Sequence, residues 1–451
     1  MSPKNCLNLA ANRGSDGEEN RHHRLRHRRI HGDKKHRLHG CTAAMKKKKG
    51  KLMEKAKKIT TKKKTRKKKL KLTELETNKS LYICSLEHHE GMWVSYVVRA
   101  IKLSDLLSSS SDDDLQLRQL AYKAGTDLPG SVRCGVMGSQ IVFAGGLKPS
   151  VPYGMGAIRT DSIWYRDVYA FETSDPKQQQ HEIRKMDATL LGAKFSPWMV
   201  ELGGKLYALC YMGVSHSPEF EVFDPKLQTW SALPQPPFFQ HGSRYDNHAP
   251  FAYAIAGTKM FVSHELCPVF CFDVSQPDSG WRLVPTMCQG GPFPFIGTAL
   301  VLDLPAAGGN KKKILFGHSA RCCFSLAVYL ISGLDENEES ITQIGDLKLP
   351  IWPYELGPAA ASDFVHIGGQ KACLVITQFI SSLEEEPRWN EPGTHKTQGV
   401  AIPFQFEIDI TKLDKDEKDC FTLQFMPPRI FQYQTNPATY PSPETVGCFV
   451  L

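Results

Sequence analysis

A repeated all-β fold is what the sequence predicts, on three observations. After residue 80, short runs of alternating apolar residues recur along the chain. Tight glycine-containing turns punctuate them, and amphipathic helical periodicity is almost absent. Alternation with a period of two is the pattern of half-buried strands, and a repeat of a few tens of residues marks a modular architecture.

The repeat begins with a hairpin. It reads "VRCGVMGSQIVFAGG" (132–146), "WMVELGGKLYAL" (198–209), "FAYAIAGTKMFVS" (251–263) and "DFVHIGGQKACLVI" (363–376), with a longer loop in "TALVLDLPAAGGNKKKILFGH" (298–318). Counted from Gly138 through Gly204, Gly257, Gly309 and Gly369, the intervals are 66, 53, 52 and 60 residues. Glycine supplies the positive φ that a two-residue hairpin turn demands. A third strand follows with alternating aromatics: "YRDVYAFE" (165–172), "EFEVFDP" (219–225), "VFCFDV" (269–274), "LAVYLIS" (326–332) and "AIPFQFEI" (401–408). A fourth is visible at "TWSALP" (229–234), "GWRLVP" (280–285) and "CFTLQF" (420–425). Four short antiparallel strands repeated in this way predict a β-propeller.

The two ends of this region fit one further unit. "SLYICSL" (80–86), "WVSYVVRAI" (93–101) and "LQLRQLAY" (115–122) read as second, third and fourth strands without a first. "ETVGCFVL" (444–451) reads as a first strand without a second. Pairing them would give six blades and leave no open sheet edge.

"FEVFDPKLQTWSALPQPP" (220–237) resembles the third and fourth strands of a kelch repeat, as in plant kelch-type proteins, and "IVFAGG" (141–146) resembles that repeat's second strand with its double glycine Gly145-Gly146. The likeness extends over roughly 80–451. Trp230 and, approximately, Trp281 hold the repeat's tryptophan position; elsewhere Phe421 or aliphatic residues stand there. The resemblance implies a divergent kelch-like propeller without an F-box, since residues 1–79 contain no Leu-Pro helical segment of that type.

Residues 1–72 carry 26 Lys+Arg against 5 Asp+Glu, a net of +21, beneath a chain total of +9; everything after them nets −12. Such a self-repelling segment buries too little surface to offset its ordering entropy. Residues 1–79 are therefore predicted to be a disordered basic arm. Lys46, Lys47, Lys48 and Lys49 form one cluster; Lys62, Lys63, Lys64, Arg66, Lys67, Lys68 and Lys69 form a second. Clusters of this density are read by nuclear import receptors and bind nucleic acid through phosphates, without sequence preference. No aromatics interleave with them, so base stacking is not expected. The localisation predicted is the nucleus, with nucleolus and cytoplasm as secondary places.

No apolar signal core and no membrane-length apolar run is visible, so an intracellular chain without a membrane partner is expected. The 13 cysteines are scattered, and Cys84, Cys210, Cys271, Cys373 and Cys448 fall inside apolar runs, where reduced thiols pack as small hydrophobes. Cys267 and Cys271 flank a strand and match no zinc spacing. His241, His248, His264 and His318 show no metal-ligand spacing, and no nucleotide-binding or hydrolase motif occurs. No cofactor, metal or catalytic site is expected, and an enzyme is the less favoured reading.

In a propeller, the loops after second and fourth strands share a face. Aromatic and arginine residues concentrate at interface hot spots. Arg159, Trp164, Arg166, Arg244, Tyr245, Arg321, Trp352 and Tyr354 are accordingly the candidate partner-binding residues. The leading expectation is a monomeric nuclear protein-interaction module that docks a protein or peptide on this face. The alternatives are a chromatin- or RNA-associated protein held by its arm, and, from the kelch likeness, a ubiquitin-ligase substrate receptor or a small-molecule specifier.

Overall fold

The computed structural model describes residues 79–89, 93–108, 115, 117–148, 163–173, 182–210, 218–239, 251–264, 267–304, 312–319, 325–350, 359–380, 396–409, 412, 420–432 and 444–451. The chain divides into two compact units, Met1–Leu72 and Thr73–Leu451. All described residues belong to the second, which is all-β and built from antiparallel sheets.

The strand order is regular. β1 (Ser80–His88), β2 (Val94–Lys102) and β3 (Arg118–Gly125) form one sheet, with a single-turn helix α1 (Leu103–Leu106) after β2. The second sheet runs β4 (Arg133–Met137), β5 (Gln140–Ala144), β8 (Val168–Glu172) and β9 (Arg184–Lys185). A two-stranded ribbon, β6 (Leu147–Lys148) with β7 (Ile163–Trp164), leaves the end of β5. The third sheet is β10 (Trp198–Leu202), β11 (Lys205–Leu209), β12 (Phe220–Asp224) and β13 (Thr229–Ala232).

Two antiparallel quartets then share one sheet. They are β14 (Phe251–Ala256), β15 (Lys259–His264), β16 (Cys267–Asp273), β17 (Trp281–Leu283), and β18 (Phe295–Asp303), β19 (Lys313–Ser319), β20 (Ser325–Ser332), β21 (Ser340–Lys348). β14 and β18 join them as a parallel pair at Ala252↔Gly297 and Tyr253↔Thr298. The last sheet holds β22 (Ala359–Gly368), β23 (Lys371–Ile380), β24 (Lys396–Ile408), β25 (Phe421–Phe425) and β26 (Arg429–Gln432), which pairs with β24. Finally β27 (Glu444–Val450) returns to β1, in register Leu81↔Val450 through Leu86↔Glu444. Repeated antiparallel quartets of this kind are a β-propeller-like architecture.

The third sheet shows why these residues fold so. Gly203 and Gly204, at φ +62 and +75, make the β10–β11 turn. At the β12–β13 turn Asp224 Oδ1 accepts from Lys226 N, and Gln228, at φ +57, donates its N–H to Asp224 O. Alternation sends Phe220 and Trp281 to one side, with ring centroids 5.3 Å apart, and Phe223 and Trp230 to another core, also at 5.3 Å. The expected hairpins, third strands and fourth strands are all present. The structure adds fourth strands at β9 and β21, whose polar, edge-exposed sequences carry weak alternation. Cys267 and Cys271 lie on β16 rather than flanking it, both buried.

Candidate functional site

The first strand of each quartet starts at the end where the second strand finishes, as Arg133↔Ala144 and Glu444↔Leu86 show. First strands also neighbour one another: β27 lies beside β4 and β22, β4 beside β10, and β18 beside β14 and β22. This common end carries Arg133, Asp363, Glu444 and several histidines.

Arg133 opens β4. Its Nε donates to Ser196 Oγ at 2.9 Å and its Nη1 to Thr445 O at 3.0 Å, while Nη2 stands 3.8 Å from Glu444 Oε1. Arg133 and Glu444 keep 36% and 28% of their side-chain surface open, so this pair meets solvent. Partial burial holds the Glu444 carboxyl above its usual range, against the pull of Arg133. Asp363 on β22 is raised for the same reason, opposed by Arg133 and by a hydrogen bond from the Cys448 thiol. His318 Nδ1 and Ser362 Oγ, 3.2 Å apart, link β19 to β22. His88 ends β1 and His89 follows it; burial pushes both down to about 4, so both are neutral at pH 7. His89 stacks on Trp93, with ring centroids 3.6 Å apart, and meets Ser95 Oγ at 2.8 Å.

Gly145 and Gly146, at φ +80 and +96, let two linkers cross here. A Cβ on Gly145 would stand 2.6 Å from Lys194 O, and one on Gly146 2.3 Å from Gly130 O. The Lys194 side chain is fully enclosed. Its Nζ donates to Pro218 O at 2.5 Å, to Gly192 O at 3.2 Å and to Glu221, which also accepts from Leu191 N and Gly192 N. Burial lowers the lysine below its ordinary value despite that partner. This network holds the linker and offers no reactive group.

Of the predicted partner-binding residues, Trp164 and Arg166 are described. Trp164 pairs with Leu147 in the ribbon and is half-buried. Arg166 is exposed, with Nη1 3.4 Å from Leu191 O, and its own carbonyl accepts from Leu190 N at 2.9 Å. Leu191 is itself 44% exposed. Arg159, Arg244, Tyr245, Arg321, Trp352 and Tyr354 lie outside the described residues, as do His241, His248 and the lysine clusters at 46–49 and 62–69. Arg133, Glu444 and Asp363 were not expected from the sequence. The one local signal is a charge at the start of an inner strand, in "VRCGV" and "ETVGCF". Among the described residues, no group of three His, Cys, Asp or Glu is arranged to hold a metal ion.

Comparison with solved structures finds likenesses at low identity. Citrobacter koseri AztD is 10% identical, with 83% of this chain and 97% of that chain covered and a TM-score of 0.30. A Dyadobacter fermentans protein of unknown function is 10% identical over 67% and 91%, with a TM-score of 0.31. Cellvibrio cellulosa alpha-L-arabinanase, solved with arabinohexaose, is 10% identical over 57% and 94%, with a TM-score of 0.27. No curated protein matches the sequence. One family does, over residues 176–412, more than half of the chain. The chain belongs to the family described as Protein of unknown function (DUF1668).

Proposed function

We propose that residues 80–451 are a kelch-type propeller of six blades, with β27 closing the ring, and that it serves in the nucleus as a protein-interaction module. The partner docks at the end where second strands finish. One observation carries this reading: the buried charges are committed to the fold, while the groups reaching solvent at that end are of interface type. Lys194–Glu221 and Arg99–Glu87 are enclosed pairs, whereas Trp164, Arg166, Leu191 and Arg133 stand open or half-open. Tryptophan and arginine are enriched at binding hot spots, and Trp164 with Arg166 brings both to this end. The neighbouring first strands support the ring, and the lysine clusters at 46–49 and 62–69 supply the import signal.

The test is co-purification of the full-length chain from nuclear extract, beside Arg244→Ala/Tyr245→Ala and Trp164→Ala/Arg166→Ala variants. A specific protein retained by the parent and lost at least tenfold from either double variant supports docking on this face. Equal recovery by all three overturns it. A second reading, nucleic-acid association through the arm, is favoured by the +21 charge of residues 1–72. Binding that falls steeply with salt and vanishes on deleting 45–72 would establish it.

A further inference from the structure

Four buried cysteines lie on strands around the junction of the two ends of the folded unit: Cys84 on β1 and Cys134 on β4 in one core cluster, Cys373 on β23 and Cys448 on β27 in another. Cys84 faces Gly447 across the β1–β27 ladder. A Cβ at Gly447 would lie 2.7 Å from Cys134 Sγ, so that thiol fills the space a side chain at 447 would take. Opposed residues of an antiparallel pair hold their Cβ positions about 4.5–5.5 Å apart. The missing side chain therefore leaves room for Cys134 to reach over β27 toward Cys84, and both thiols pack in the same core cluster. Cys448 sits one residue on, in the opposite core, and donates to Asp363.

Small buried thiols ordinarily act as core hydrophobes, and Cys373 fits that account. Cys84 and Cys134 differ in lying together in one core cluster, both against Gly447, from strands of two separate sheets. We propose that they are a modification site, oxidised by a hydroperoxide to a disulfide that ties β1 to β4 across β27. Cys134 attacks first, being 6% exposed beside the partly open Arg133 and Glu444, whereas Cys84 is fully enclosed. Its thiolate takes the terminal oxygen of ROOH and ROH leaves, which gives a sulfenic acid. Cys84 then displaces that oxygen as water. Two thiols and ROOH thus become a disulfide, ROH and water, with the peroxide reduced by two electrons. Burial holds the Cys134 thiol well above its usual range, so the closed seam protects it and the bond forms when β27 loosens.

Trypsin separates the two sites cleanly. Residues 80–99 and 134–159 are limit peptides, because Pro149 blocks cleavage after Lys148, and each carries a single cysteine. The full-length chain is treated with hydrogen peroxide under native conditions, alkylated in denaturant and digested without reduction. The expected result is a joined 80–99/134–159 species, two fewer alkylated thiols, persistence of the species in Cys448→Ser and its loss in Cys134→Ser. Recovery of both peptides singly alkylated after exhaustive treatment overturns the proposal. So does their joining to other cysteines as readily as to each other. The parent digest decides the matter even if Cys134→Ser does not fold.

Discussion

The sheet of β10–β13 and the sheet of β27, β1, β2 and β3 have the same four-strand plan and opposite origins. The first is made from 35 consecutive residues, Trp198–Ala232. Its turns are set by Gly203, Gly204 and Asp224, and the Phe223–Trp230 ring pair is made within seven residues, although Phe220 also packs on Trp281. The second draws its first strand from Glu444–Val450 and its second from Ser80–His88. Arg133 ties the seam by donating to Thr445 O, 312 residues away. Local rules write one sheet; only a completed chain writes the other. The contrast implies that damage in the contiguous sheet is absorbed residue by residue, while damage at the seam is felt by the whole unit.

The severest break is removal of 444–451. It strips β1 of one of its two partners and removes Val446 and Cys448 from the core. The expected cost is of the order of the domain's own stability, about 5–15 kcal/mol. Thermal unfolding followed by circular dichroism should show no cooperative transition; a melt like the parent's would put the two sheets on equal footing. Next comes Glu221→Ala in the contiguous sheet, which strands the enclosed Lys194 ammonium. Breaking such a buried pair from one side costs about 3–5 kcal/mol, measurable in urea titration. Trp230→Ala in the same sheet should lose about 3–5 kcal/mol through cavity formation. Trp230→Phe should lose much less, because the buried indole N–H has no acceptor to forfeit.

Glu444→Gln at the seam is the mildest change. With 3.8 Å between charges and both partners partly open, the pair is worth under about 1 kcal/mol.

Acid should pull the two regions in opposite directions. Glu339, enclosed between Lys259 and Arg282 beside β21, is held below the usual glutamate value. Burial alone would raise it, and the hydrogen bonds from both cations prevail. A lowered folded-state value adds stability above the unfolded value near 4.5, which is lost as pH falls through the folded value. Asp363 and Glu444 are raised by burial, so their contribution is present in acid and is lost as pH rises through their folded values. Hydrogen exchange between pH 7 and 4 should therefore show the β15–β21 contact loosening relative to the seam peptides. Uniform loosening would refute the assignment.

Much of the fold was legible because its determinants are short-range. Four of the five expected hairpins have their positive-φ glycine at a described turn, at Gly138, Gly204, Gly257 and Gly369, and Gly309 lies outside the described residues. The aromatic third strands announce themselves by alternation. β9 and β21 escaped because an outer strand needs little apolar content. The polar end of the first strands was illegible for a different reason. Arg133, Ser196, Asp363 and Glu444 come from four segments with no common spacing, and only packing of neighbouring first strands brings them together. Trp164 and Arg166 were picked out by residue type alone, which does not show the contacts to Leu147 and Leu191 that hold them.

The pairing of β1 with β27 also sets a timetable. A ribosome adding about 5–20 residues per second needs roughly 20–70 s to pass from His88 to Glu444. Throughout that interval the edge of β1, with Leu81, Ile83 and Cys84 along it, waits for its mate. An unpaired apolar edge is a template for foreign strands. A newborn chain of this architecture is therefore expected to gain from chaperone shelter for its earliest sheet, and a stall late in translation should cost more soluble protein than one early on.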